Sequence, residues 1–237
     1  MSNAAAITRS LVAAALLAAA LLAAPLASFA AEPAPTAGPE RIRYLQSWFG
    51  AGDTDQPWEL EAEEGPYTRD VGTIPYIGGS ALYLHGNGFR YGWEAGGLLG
   101  WSSYDGAFRS DSSGLQVAID ASLFTFEVFF GGMLAYEPRP GLRFYVAGGP
   151  TLALMTLDNE DEEVEALPTS GIVIVVEEEE DDASVVPYAR AGFEFQAGNG
   201  LSFGISARYA PHDFDFGTSG EVEFDGVQWF LIVGARR

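Results

Sequence analysis

The feature that most limits the fold is a two-residue alternation of apolar with small or polar side chains, repeated in blocks of about ten residues. A period of two puts successive side chains on opposite faces of a strand, whereas an α-helix repeats every 3.6 residues. The clearest block is 89–102. One parity holds Phe89, Tyr91, Trp93, Ala95, Gly97, Leu99 and Trp101, and the other holds Arg90, Gly92, Glu94, Gly96, Leu98, Gly100 and Ser102. One face is apolar with aromatics at both ends, as a strand crossing a bilayer requires at its two water interfaces. The opposite face is small, polar or charged. Residues 124–136, 142–156, 185–197, 201–210 and 223–235 repeat the pattern, and 41–50 and 71–84 are apolar without a clear parity.

Connections between the blocks alternate as well. Short turns fall at 85–88, 137–141 and 198–200, and long polar connections at 51–70, 105–114, 158–184 and 211–222. Strict long–short alternation and an even count predict an all-β, antiparallel up-and-down transmembrane β-barrel of eight strands, occupying 41–237. GIVIVV at 171–176 reads as a hairpin extension inside the third long connection, with an extra strand as the alternative.

Ahead of the barrel, residues 11–24 are unbroken apolar and Pro25 ends the run, which is short of the roughly 20 residues a spanning helix needs. Ser28-Phe29-Ala30 supplies the small residues of a signal-peptidase site. The expected organisation is a signal peptide at 1–30, a Pro/Ala-rich leader at 31–40 and a mature start at Ala31. Cysteine is absent, which removes thiol catalysis, disulfides and a lipidated N-terminal Cys. All 12 basic residues are Arg, set against 33 Asp and Glu for a net charge of −21. A nucleic-acid partner is therefore excluded, because phosphate binding needs cations.

Across about 40–237 the strand and loop pattern resembles the small eight-stranded bacterial outer-membrane barrels, the OmpA-, OmpX- and OmpW-like group. The best local match is the end, VQWFLIVGARR, where Trp229, Leu231, Val233 and Ala235 form the outward set. The resemblance implies an outer-membrane location, outer-membrane lipid and lipopolysaccharide as surroundings, and assembly by machinery that reads the last strand. A single copy is the expected state. Such barrels close on a terminal aromatic, and this chain departs from them by ending on Arg237.

Twenty-four of the 33 carboxylates lie in the four long connections, opposed there only by Arg69 and Arg109. Asp158, Glu160, Asp161, Glu177, Glu178, Asp181 and Asp182 are candidate ligands for weak Ca²⁺ or Mg²⁺ association, hard cations that prefer oxygen. Their spacing is not that of an EF-hand, and a solvated, self-repelling loop is the simpler reading. No other cofactor is expected. A second set, Arg90, Glu94, Glu127, Arg143, Arg190, Glu194 and Arg208, has inward parity and reads as a lumen charge network. Eight strands enclose an interior just wide enough for side chains, so the network reads as a plug, with a narrow polar pathway as the alternative.

An outer-leaflet lipid-modifying enzyme would need a His, a Ser and a carboxylate near the top of adjacent strands. His212 has that height but lacks a Ser two residues on, and Ser219 has no defined relation to it. His212 reads as a loop residue and His85 as a solvated turn residue. Gly96-Gly97 and Gly131-Gly132 lack any phosphate-loop continuation and read as places of close strand approach. The functional expectation is a non-enzymatic structural or surface-interaction barrel with acidic loops. A narrow channel for small or hydrophobic solutes ranks second, and a lipid-modifying enzyme third.

Overall fold

The computed structural model describes residues 41–53, 58–60, 67–69, 72–110, 116–159, 163–165, 173–175, 179–197, 200–217 and 220–236. The signal peptide and leader expected at 1–40 fall outside them. Fourteen strands occur in chain order: β1 (Arg41–Asp53), β2 (Trp58–Leu60), β3 (Tyr67–Arg69), β4 (Thr73–Asn87), β5 (Phe89–Ser110), β6 (Gln116–Arg139), β7 (Leu142–Asn159), β8 (Glu163–Glu165), β9 (Val173–Val175), β10 (Glu179–Gln196), β11 (Leu201–Tyr209), β12 (His212–Asp215), β13 (Glu221–Phe224) and β14 (Val227–Arg236).

Eight of these close a ring of antiparallel neighbours, β1–β4–β5–β6–β7–β10–β11–β14, with β14 returning to β1. They cover the eight sequence blocks, and the ring is sealed by the register Tyr44↔Arg236 through Gly52↔Gln228. Closure leaves no open edge, the condition for a sheet to sit in hydrocarbon. The outward face between the ends is exposed and apolar: Phe130, Leu134, Val146, Leu154, Ile205 and Leu231 are each at least 41% accessible. Tyr91 and Trp101 mark the aromatic limits of this band on β5. Ten residues at about 3.4 Å each, tilted by about 45°, span about 24 Å, the height of an apolar band in such barrels.

Two of the three short turns are tighter than expected, at Gly88 and at Pro140-Gly141. Asn87 and Phe89 are direct partners, so only Gly88 lies between β4 and β5, and its φ of 71° is one that glycine tolerates. His85 is consequently not a solvated turn residue; it stands half-buried on β4, packed against Tyr83 and Tyr91.

The long connections depart further from expectation, because four of the strands climb into them. β5 and β6 run to Ser110 and from Gln116, so most of 105–114 is strand. β10 begins at Glu179 and pairs with β7 as far as Glu179↔Asp158, so Glu179–Ser184 is wall and not loop. Within 51–70 and 211–222, β2–β3 and β12–β13 are hairpins that pair with each other at Glu221↔Glu59, and β3 pairs with β5. The ring therefore continues past the band as a collar. His212 lies on β12 and not in a loop. The 171–176 segment contributes β9, which pairs with β8 as a separate two-stranded sheet.

One level of the wall is thinly bonded. Pro187 faces Pro150 across β10 and β7, and the β10–β11 ladder stops at Ala189↔Tyr209 just below Pro211. The β6–β7 register also skips from Phe129↔Thr151 to Gly132↔Gly148 around Pro150. Proline has no N–H to donate to a ladder, which accounts for both gaps.

Candidate functional site

The lumen is the one place where polar chemistry is concentrated under burial, and alternation is what puts it there. Each inward-parity position of the band faces the axis, and all seven charged residues singled out from the sequence are at most 5% accessible. They fall into three tiers along the axis.

At the short-turn end, Arg90 bonds Glu137 (Nε to Oε2, 3.0 Å) and donates to the Gly86 carbonyl at 2.6 Å. Arg143 bonds the other oxygen of the same carboxylate at 3.4 Å and lies over the Tyr44 ring at 3.8 Å. Glu137, taken from sequence as a turn residue, is thus the shared partner of two arginines. It also brings the carboxylates inside the band to four against four arginines.

In the middle tier Arg190 pairs with Glu94, which also accepts from the Tyr188 hydroxyl at 2.8 Å. The Arg190 guanidinium is sandwiched between Trp48 (4.2 Å) and Tyr145 (4.7 Å). Glu194 accepts from the Gln46 amide; the Gln46 oxygen accepts from Ser80 and from the Trp48 indole, both at 3.2 Å. Glycines open the space for these rings. A Cβ at Gly192 would strike the Tyr145 hydroxyl, one at Gly131 the Tyr188 hydroxyl, and one at Gly96 the Phe129 ring.

The upper tier is built around Glu127. Arg208 bonds its Oε2 at 2.6 Å, Thr151 and Gln228 approach at 3.5 Å, and His212 Nε2 stands 3.6 Å away. Above it the collar is lined by Trp58, Phe214, Phe216, Val222 and Phe224, all buried, with His212 stacked on Phe214 at 5.7 Å. Ion pairs in low dielectric hold best when the charges are matched and hydrogen-bonded; each tier contains such a pair, while Arg190 Nε, Arg208 Nε and Glu194 Oε2 are buried without a hydrogen-bond partner. The arrangement can fix side chains across the barrel. Glu127, the carboxylate beside His212, is held by Arg208.

Of the acidic candidates, Asp158, Asp181 and Asp182 lie among the described residues. Asp181 accepts from the Thr156 hydroxyl at 2.5 Å and Asp182 from the Asp215 amide at 2.9 Å, both as wall contacts. Asp158 lies opposite Glu179 on the paired strands. Glu160, Asp161, Glu177 and Glu178 lie outside the described residues, as does Ser219. Among the described residues no group of three or more His, Cys, Asp or Glu is placed to hold a metal ion.

Gln46, Tyr145, Thr151, Tyr188 and Gln228 keep the same inward parity but are uncharged at neutral pH, so they lack the signal that marks the other seven. Glu137 keeps the odd inward parity of β6 and was hidden by an early turn boundary.

No family model matches the chain, and no curated protein matches it in sequence. Solved structures do. The chain is similar to Ail, the attachment invasion locus protein of Yersinia pestis, solved with the heparin analogue sucrose octasulfate; identity is 14%, covering 83% of this chain and 99% of that one, with a TM-score of 0.45. It is similar to the outer-membrane protein OprG of Pseudomonas aeruginosa at 12% identity, covering 84% and 97%, with a TM-score of 0.44. Neisserial surface protein A matches at 12% identity, covering 83% and 97%, with a TM-score of 0.40.

Proposed function

We propose that this chain is a monomeric outer-membrane barrel with a structural or surface-interaction role and no enzymatic activity, exported by a cleaved signal peptide at 1–30 and folded by the barrel-assembly machinery. Its long-loop end, with the acidic collar, faces the cell exterior and the lipopolysaccharide leaflet. The observation that carries the reading is the lumen itself: four arginines, their carboxylates and five rings fill an interior that eight strands make only side-chain wide. A barrel so filled acts through its outer surface and its exposed end. The acidic residues Asp158, Glu160, Asp161, Glu177, Glu178, Asp181 and Asp182 then serve as weak, salt-sensitive contacts for Ca²⁺ or Mg²⁺ bridging to lipopolysaccharide.

Purified, refolded chain in planar bilayers tests the proposal. The expected result is no steady conductance. Large, stable single-channel steps overturn it in favour of a narrow channel for small or hydrophobic solutes.

A further inference from the structure

Among the residues whose side chains are described, exposed charge is segregated along the barrel axis. The exposed arginines among them are Arg41, Arg43, Arg139 and Arg236, and all four lie at the short-turn end. The single described carboxylate at that end, Glu137, is turned inward onto Arg90 and Arg143. Two of the arginines are set on the outward face of β1 beside an ordered aromatic shelf. Register pairs place Arg41, His85 and Tyr91 in one row across β1, β4 and β5, and Arg43, Tyr83 and Trp93 in the row above. The rings contact one another: Tyr83 stacks on Trp93 at 6.0 Å and on His85 at 6.3 Å, and His85 meets Tyr91 edge-on at 5.9 Å. Arg43 lies over the Tyr83 ring at 6.0 Å. Tyr91 is 60% and Trp93 41% accessible, so the shelf is presented outward.

We propose that this outward patch binds the phosphodiester headgroup of an anionic phospholipid in the leaflet at the short-turn end. The inference rests on the transmembrane reading. Aromatic rings with polar tips settle at headgroup depth, and guanidinium groups one strand repeat apart match a phosphate in charge and donor geometry. The rings shield the arginines' stems and keep the guanidinium groups at the level where the phosphate lies. Arg139 ends β6 on a different stretch of the ring, three residues past the outward row Phe89, Tyr136 and Phe144, as a lone arginine without a second one strand repeat away, and it serves as the internal control.

The test uses the full mature chain refolded into vesicles of equimolar phosphatidylcholine and phosphatidylglycerol, with retained lipid read by native mass spectrometry. Wild type retains phosphatidylglycerol over phosphatidylcholine. An arginine at an anionic surface is worth roughly a factor of five, so the R41Q/R43Q variant lowers the ratio by up to about 25-fold. R139Q leaves it unchanged, and so does a large excess of inorganic phosphate. Equal retention by R41Q/R43Q and wild type overturns the proposal. So does an equal fall in R139Q, which would mean diffuse rim charge, or displacement by inorganic phosphate, which would mean an ion site. Insertion is followed separately by heat-modified gel migration. A chain that does not insert defeats the transmembrane reading, and the lipid site falls with it.

Discussion

The membrane band and the collar above it are one wall with two outsides. Inward, both are packed: Arg190, Tyr188 and Phe129 in the band, Phe214, Phe224 and Trp58 in the collar. Outward, they have opposite chemistry. The band shows Leu, Val, Ile and aromatics, while the collar shows Asp181, Asp213, Asp215, Glu221 and Glu223 at the same alternating positions. The change is abrupt, falling between Tyr209 and Asp213 on one strand line and between Glu223 and Val227 on the next. Inward parity thus defines the barrel, and outward parity marks where the bilayer stops. The interiors differ too. The band is held by matched charges, the collar by apolar contact, so the two regions should fail differently.

The largest effect is expected from removing a charge in the band. Glu94→Ala leaves Arg190 buried without its carboxylate and should cost about 3–5 kcal/mol in urea unfolding of the refolded barrel. Glu94→Ala combined with Arg190→Met should recover most of that loss, because the pair leaves together.

Next comes the outward face. Ala95→Arg puts a charge midway between Tyr91 and Trp101 and should cost roughly 2–4 kcal/mol in lipid. Glu223→Arg, on the collar's exposed face, should stay within about 0.5 kcal/mol of wild type. Equal costs at the two positions would erase the boundary drawn here.

Filling a lumen glycine should act at an intermediate to small scale. Gly192→Ala forces a methyl against the Tyr145 hydroxyl and the Ile205 carbonyl, an overpacking cost of about 1–3 kcal/mol, read from the same urea transition.

The smallest effect concerns the acidic run. Replacing Glu160, Asp161, Glu177 and Glu178 by their amides should lower Ca²⁺ association in calorimetry and leave the urea midpoint unchanged. Identical calorimetric traces would assign these residues to solvated surface alone.

How much of this was legible follows from the same comparison. In the band, alternation gave strand identity, facing and the inward charges together, because lipid outside and packed side chains inside demand contrasting residues. In the collar the alternation persists: Arg208, Ala210, His212, Phe214 and Phe216 keep one parity and are all buried. Pro211 and the four surrounding carboxylates of β12 and β13 made that stretch read as loop, since a charged outward face is also what a solvated connection shows. The pairing of β13 with β2 joins segments about 160 residues apart, and no local pattern reports it. Glu137 and the aromatic partners of the arginines were present in the parity and overlooked for want of a charge or a strand boundary.

The proline level has a consequence for backbone dynamics. On the side of β10 that turns from β11 toward β12, the edge between Glu179 and Pro187 has no ladder among the described residues, and β12 is tied to it through the Asp182 carboxylate instead. Backbone amides on that edge are therefore guarded by a side chain and not by a paired strand. Hydrogen exchange should be fastest there and slowest on the β5–β6 ladder, where 21 consecutive register pairs run from Phe89 to Arg109. The barrel is thus held most firmly at its longest hairpin, while the place where it breathes is set beside the charged upper tier.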